Sequence, residues 1–167
     1  MARTQDDHAH AVTDAVTDAV LTASRLLVAV SARSIAAVDD SISLAQFRLL
    51  VVLSSRGQRK VTELADALGV NPSTATRAVD RLIEAGLVDR QTNPHSRREM
   101  QISLTKSGQR VVREVTRRRR EEIAAIVERM PRTHQTGLVR ALNAFSQAGG
   151  EPPADASPYE AADTDWA

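Results

Sequence analysis

The stretch from Val61 to Leu104 leaves a chain of this kind few ways to fold. It reads VTELADALGV, then NPSTATRAVDRLIEAG, then LVDRQTNPHSRREMQISL. In the first segment Val61, Leu64, Ala65 and Leu68 recur at helical spacing, and Gly69 follows where a turn needs a residue without a Cβ. Asn71 stands as the N-cap of a second helix, with Pro72 at its first position, where the missing N–H costs nothing. Val79, Leu82 and Ile83 give that helix an inward stripe, and Gly86 closes it. Leu87 and Val88 then open an extended run, and Met100, Ile102 and Leu104 alternate at period two, which predicts a two-stranded hairpin.

The outer face of the second helix carries chemistry suited to nucleic acid. Ser73, Thr74, Thr76 and Arg77 fall in its first two turns, and Arg81 one turn later. Short hydroxyls approach base edges and phosphates closely, and Arg can grip guanine O6 and N7 with two hydrogen bonds. A helix N-terminus also offers unpaired N–H groups to phosphate, which brings in Asn71. Arg90 lies on the first strand, and the hairpin tip Asn93–Arg98 carries Arg97 and Arg98, within reach of a minor groove. These nine residues form the candidate contact set for double-stranded DNA. The plainer alternative is capping hydroxyls and solvated arginines. The basic hairpin directly after the helix pair favours the first reading, a winged helix-turn-helix.

Charge distribution supports it. The net charge is only +1, yet residues 1–20 hold Asp6, Asp7, Asp14 and Asp18 against Arg3, and 151–167 hold five acidic residues and no cation. Taking Arg3 from the 22 basic residues and these nine from the 21 acidic ones leaves 21 basic against 12 acidic in residues 21–150. A polycationic body between acidic ends suits a polyanionic partner. The core must be aliphatic, because the only aromatics are Phe47, Phe145, Tyr159 and Trp166. With no cysteine, disulfides and thiolate metal sites are excluded. The acidic, polar N-terminus reads as neither a signal peptide nor an apolar span, so the expectation is a cytoplasmic protein without a membrane partner.

Around the central stretch, residues 1–9 read as disordered. Residues 10–38 read as one long amphipathic helix, with Val12, Val16, Val20, Leu27 and Val30 in its stripe. Val12 and Val16 have no obvious home within one domain, which points to a second subunit. Ser43 and Gln46 match a capping box for a helix ending at Gly57. Thr105 to about Met130 predicts another helix, with Arg117–Arg120 as a solvated connector. A last helix over about 133–146 is expected to bury Leu138, Leu142 and Phe145. The expected organisation is thus a DNA-binding core over about 44–108, dimerisation helices over about 10–38 and 109–147, all within one unit of 10–148, and an acidic disordered tail over 149–167. The fold class is mainly α with a small β-hairpin wing.

This order of segments resembles the MarR (multiple antibiotic resistance regulator) family over roughly residues 12–147, most specifically in TRAVDRLIEAGLVDR and LTKSG. The resemblance implies a homodimer held by the first and last two helices, with one winged helix-turn-helix per subunit for a pseudo-palindromic site. It also implies recognition-helix roles for Ser73, Thr74, Thr76 and Arg77, a place near phosphate for Arg81, and a minor-groove role for Arg98. It further implies an effector pocket near the first, second and fifth helices, for which Arg25 and Arg48 are candidate anchors. One departure stands out: the family commonly has Asp two residues before the wing arginine, and here that position is Ser96. Either Arg98 is oriented by something else, or the wing contributes less.

Catalysis finds no support. His8, His10, His95 and His134 are scattered, and no HExxH or glycine-rich phosphate loop occurs. The expectation is therefore a non-enzymatic regulator without cofactor or metal: a homodimeric, ligand-responsive repressor with DNA, itself and a small-molecule effector as partners. The alternative is a winged-helix protein–protein assembly module without specific DNA binding.

Overall fold

Among the described residues, 2–93 and 96–151, the computed structural model forms six helices and one hairpin; side chains are described for 10–92 and 100–151. The order is α1 (Ala2–Ala36), α2 (Leu44–Arg56), α3 (Val61–Leu68), α4 (Pro72–Glu84), β1 (Val88–Asn93), β2 (Ser96–Leu104), α5 (Lys106–Glu128) and α6 (Arg132–Ala148). The fold is mainly α with a small antiparallel wing.

Helix α1 starts at Ala2, so residues 2–9, expected to be disordered, are helical. No Gly or Pro interrupts residues 1–40, and Asp6 and Asp7 lie near the helix's positive end. The helix ends at Ala36, where Asp39 accepts from the Ser41 N–H at 2.9 Å and turns the chain. The expectation of no apolar span is also corrected: His10–Ala36 is long and apolar enough to cross a membrane by length and composition. Only Arg25 is charged between Asp18 and Arg33, and the Ala and Thr positions do not offset the Val and Leu ones. From His10 to Val28 only Val20 is even partly buried; Val30 is the first residue of α1 to enter the core.

The capping box of α2 forms as expected: Gln46 N–H donates to Ser43 Oγ (3.2 Å), and Ser43 N–H donates to Gln46 Oε1 (2.8 Å). Helices α3 and α4 end alike. Gly69 and Gly86 take φ of 65° and 69°, and the residue after each glycine donates five positions back, Val70 to Ala65 O (3.0 Å) and Leu87 to Leu82 O (2.9 Å). This closure satisfies carbonyls that a helix end would otherwise leave open. The core gathers Phe47, Leu49, Leu50 and Leu53 of α2 with Leu64, Val79, Leu82, Ile102 and Val115. Each such burial is worth about 1.5–3 kcal/mol.

The wing pairs Val88 with Leu104, Arg90 with Ile102 and Thr92 with Met100, and its register shifts between Thr92 and Asn93. Ile102 and Leu104 are buried, but Met100 is 49% exposed because the hairpin has by then outrun the core. Arg59, in the α2–α3 connection, adds a single bridge to Ile102: Ile102 N–H donates to Arg59 O (2.8 Å) and Arg59 N–H to Ile102 O (3.1 Å).

Thr105 caps α5 and does more. Its Oγ1 accepts from Gly108 N–H (3.0 Å) and donates to Gly86 O (2.8 Å), while its own N–H donates to Leu87 O (3.1 Å). The first turn of α5 therefore lies hard against the end of α4. A Cβ on Gly108 would sit 2.1 Å from Leu87 O and 3.0 Å from Leu104 Cδ2.

Further along α5 the four arginines divide. Arg117 bonds both Glu114 (2.6 Å) and Glu121 (2.5 Å), and Arg118 bonds Glu114 (2.9 Å). The hydrogen bonds from Arg117 and then Arg118, against some desolvation, hold the Glu114 carboxyl down to about 2. Because its folded value is depressed, this pairing is complete above the ordinary carboxylate range and is lost as pH falls through about 2. Arg119 is different: it is partly buried, its Nε has no hydrogen-bond partner, and burial pushes its guanidinium below the usual arginine value. Arg33 of α1 bonds Glu122 and ties α1 to α5.

Helix α6 contradicts the expected burial of Leu138, Leu142 and Phe145. Leu138 is only partly buried, and Leu142 and Phe145 are 49% and 55% exposed. The amphipathic pattern is there, but no face of α6 is buried against the rest of its own chain. The expected tail beyond Glu151 lies outside the described residues.

Gly108→Ala should destabilise the chain by about 1–3 kcal/mol, since a methyl group must displace backbone rather than a flexible side chain. Denaturant unfolding checks this, and an unchanged midpoint would contradict the packing at this junction.

Candidate nucleic-acid interface

Helix α4 is built with two chemically distinct faces. Ala75, Val79 and Leu82 are buried, while Ser73, Thr74, Arg77 and Arg81 are exposed on the opposite side. The helical period alone puts those four residues within one stripe. Asn71 takes the extended N-cap conformation without a side-chain capping bond; its carbonyl accepts from Thr74 N–H (2.9 Å) and Ala75 N–H (3.1 Å). Its exposed amide is thus left available at the helix N-terminus. Thr76 is partly buried, and its hydroxyl donates to Pro72 O (2.9 Å), so it is the least available of the hydroxyls.

Beside this stripe the helix-turn-helix elbow forms an open groove of about 590 Å3, lined by Ala65, Asp66, Gly69, Val70, Asn71 and Thr74. Asn71 and Thr74 thus stand at a concave edge between α3 and α4.

Arg90 has a partner that the sequence did not reveal. Its NH2 donates to Asp80 Oδ1 at 2.5 Å, joining β1 to the middle of α4; the two side chains are 42% and 47% exposed. The pairing needs both the α4 termination at Gly86 and the hairpin register, neither of which residue spacing fixes. Arg59 was likewise legible only as a cation, whereas its backbone bridges the wing. Arg97, Arg98 and Ser96 have only backbone described, and His95 lies outside the described residues.

The two candidate effector anchors lie on different helices. Arg25 is exposed on α1 and donates to Thr22 Oγ1 (3.2 Å), and Arg48 is exposed on α2. Between α1 and α5 runs a different groove, of about 310 Å3, lined by Arg33, Ser34, Ala37, Arg118, Glu121 and Glu122. Neither Arg25 nor Arg48 lines it.

Helix, turn, two-faced helix and pinned hairpin together define a winged helix-turn-helix fold. The model of the MarR family matches residues 42–100, which run from the start of α2 into the wing. The fold is similar to the crystal structure of RV1404 from Mycobacterium tuberculosis, with 58% sequence identity, a TM-score of 0.80, and coverage of 85% of this chain and 97% of that one. Among curated relatives, the chain is 32% identical over 83 residues to the HTH-type transcriptional regulator YpoP of Bacillus subtilis, covering 50% of this chain and 59% of YpoP. It is 36% identical over 69 residues to the transcriptional repressor MdtR of the same organism, covering 41% of this chain and 44% of MdtR. The chain thus spans about half the length of these two curated relatives. The chain belongs to the MarR family, whose members are transcriptional regulators and not enzymes.

Proposed function

We propose that this chain is a sequence-specific DNA-binding repressor that acts as a homodimer on a pseudo-palindromic site and responds to a small-molecule effector. The observation that carries the reading is the exposed stripe Ser73, Thr74, Arg77 and Arg81 on a helix whose other face is locked into the core. In this reading Arg77 reads a base edge, Ser73, Thr74 and Asn71 meet bases and phosphates near the helix N-terminus, and Arg81 meets backbone phosphate. Thr76 contributes less, since its hydroxyl is already bonded. Arg97 and Arg98 enter the neighbouring minor groove. The repressor role rests on the likeness to MdtR, a repressor by name.

Homodimerisation is supported by the surfaces that one chain leaves bare. Val12, Val16, Leu21 and Val28 of α1 and Val139, Leu142 and Phe145 of α6 are each at least 49% exposed. Such concentration of apolar side chains on two terminal helices marks an interaction surface. Arg119, with its unpartnered Nε, adds a polar group that a single chain does not complete. Effector response would arise where α1 meets α5, because a molecule wedged in that groove alters the angle between the dimer-forming helices and the DNA-reading module.

Two tests separate these parts. Selecting bound duplexes from a random pool should yield an inverted repeat, and Arg77→Ala should then cost about 1–3 kcal/mol on the selected site while relaxing base preference. Equal losses on every sequence would show that Arg77 meets only phosphate. For the dimer, Phe145→Asp should give a helical monomer by sedimentation with reduced DNA affinity; an unaltered dimer would place the interface elsewhere.

A further inference from the structure

A wing aimed at DNA must be held at a fixed angle to the recognition helix. Beside the hydrogen bond that Gln58 Nε2 donates to Gln91 Oε1 (3.4 Å), two attachments at its base meet that need. One is the Arg59–Ile102 backbone bridge, which fixes β2. The other is the Asp80–Arg90 ion pair, which fixes β1 to the outward side of α4. We infer that Asp80 and Arg90 are positioning residues for DNA binding: their bond sets the angle between wing and recognition helix, and Arg90 is not itself a phosphate contact.

The geometry supplies the argument. Arg90 pairs across the hairpin with Ile102, whose side chain is fully buried, so the two share the face of the hairpin that packs toward the core. From there its guanidinium reaches Asp80 at 2.5 Å, and the carboxylate offsets part of its positive charge. Asp80 is a carboxylate midway along a helix read as entering DNA, where bare electrostatics would make it a repulsive group. Its value lies in what it holds. The pair links α4 to the middle of β1, and beyond it the hairpin leaves the core.

This inference rests on the proposed DNA binding, and the experiment keeps the two apart by measuring the wild-type chain first on a selected duplex. Asp80→Asn should lower affinity about threefold or more even though it removes a negative charge, because the exposed pair it breaks is of modest strength. Arg90→Gln should lower affinity similarly while leaving the dependence of log K on log salt unchanged. The exchanged pair, Asp80→Arg with Arg90→Asp, should recover affinity to within about twofold of wild type if geometry is what matters. Circular dichroism of each variant confirms that the fold is retained. A rise in affinity for Asp80→Asn, or a salt slope reduced by about 0.9 in Arg90→Gln, would overturn the inference and make Arg90 a phosphate contact. A wild-type chain that binds no duplex would remove the proposed function and this inference with it.

Discussion

The junction of Gly86, Leu87, Thr105 and Gly108 is the point through which the rest of the molecule is connected. Leu87 closes α4 with its N–H and receives Thr105 with its carbonyl, while Thr105 Oγ1 bonds Gly86 O and caps α5. Gly108 lets α5 approach this backbone at a distance no side chain would allow. The end of α4, the residues flanking the two strands of the wing and the start of the long α5 therefore share one set of hydrogen bonds.

Above that junction the chain divides its chemistry between two ends. Short helices with buried Leu and Val faces present a polar, cationic stripe, and the outer parts of α1 and α6 leave apolar faces uncovered. The arginine run on α5 lies between. Glu114 and Glu121 neutralise Arg117 and Arg118 within the helix, Glu122 engages Arg33 of α1, and only part of the run carries unspent charge. The 21 basic residues of 21–150 therefore overstate how many cations are free to meet phosphate; their surplus over the 12 acidic ones already allows for such pairs.

How much of this the residues foretold depends on the range of the interaction. Caps and turns are local, so Ser43 with Gln46, Pro72, Gly69, Gly86 and Thr105 marked helix ends where the structure has them. The outward stripe of α4 was likewise readable, because a helical period fixes which residues share a face. Pairings between elements were not. Asp80 with Arg90, Arg59 with Ile102 and the steric demand at Gly108 all depend on how separate elements dock. The expected burial of Leu142 and Phe145 erred for a related reason: amphipathic spacing says that a face seeks cover, and not whose cover it finds. Arg25 and Arg48 were chosen by charge and helix number alone, and the groove between α1 and α5 is lined by Arg33 and Arg118.

The central claim is that two copies of the α4 stripe are held at a separation matched to duplex DNA. Hydroxyl-radical and methylation footprinting on a selected site tests this most directly. The account predicts two protected major-groove patches on one face of the duplex, centred about 10 base pairs apart, with protection of the flanking minor grooves by the wings. A single protected patch, or two at a spacing that varies between sites, would contradict it.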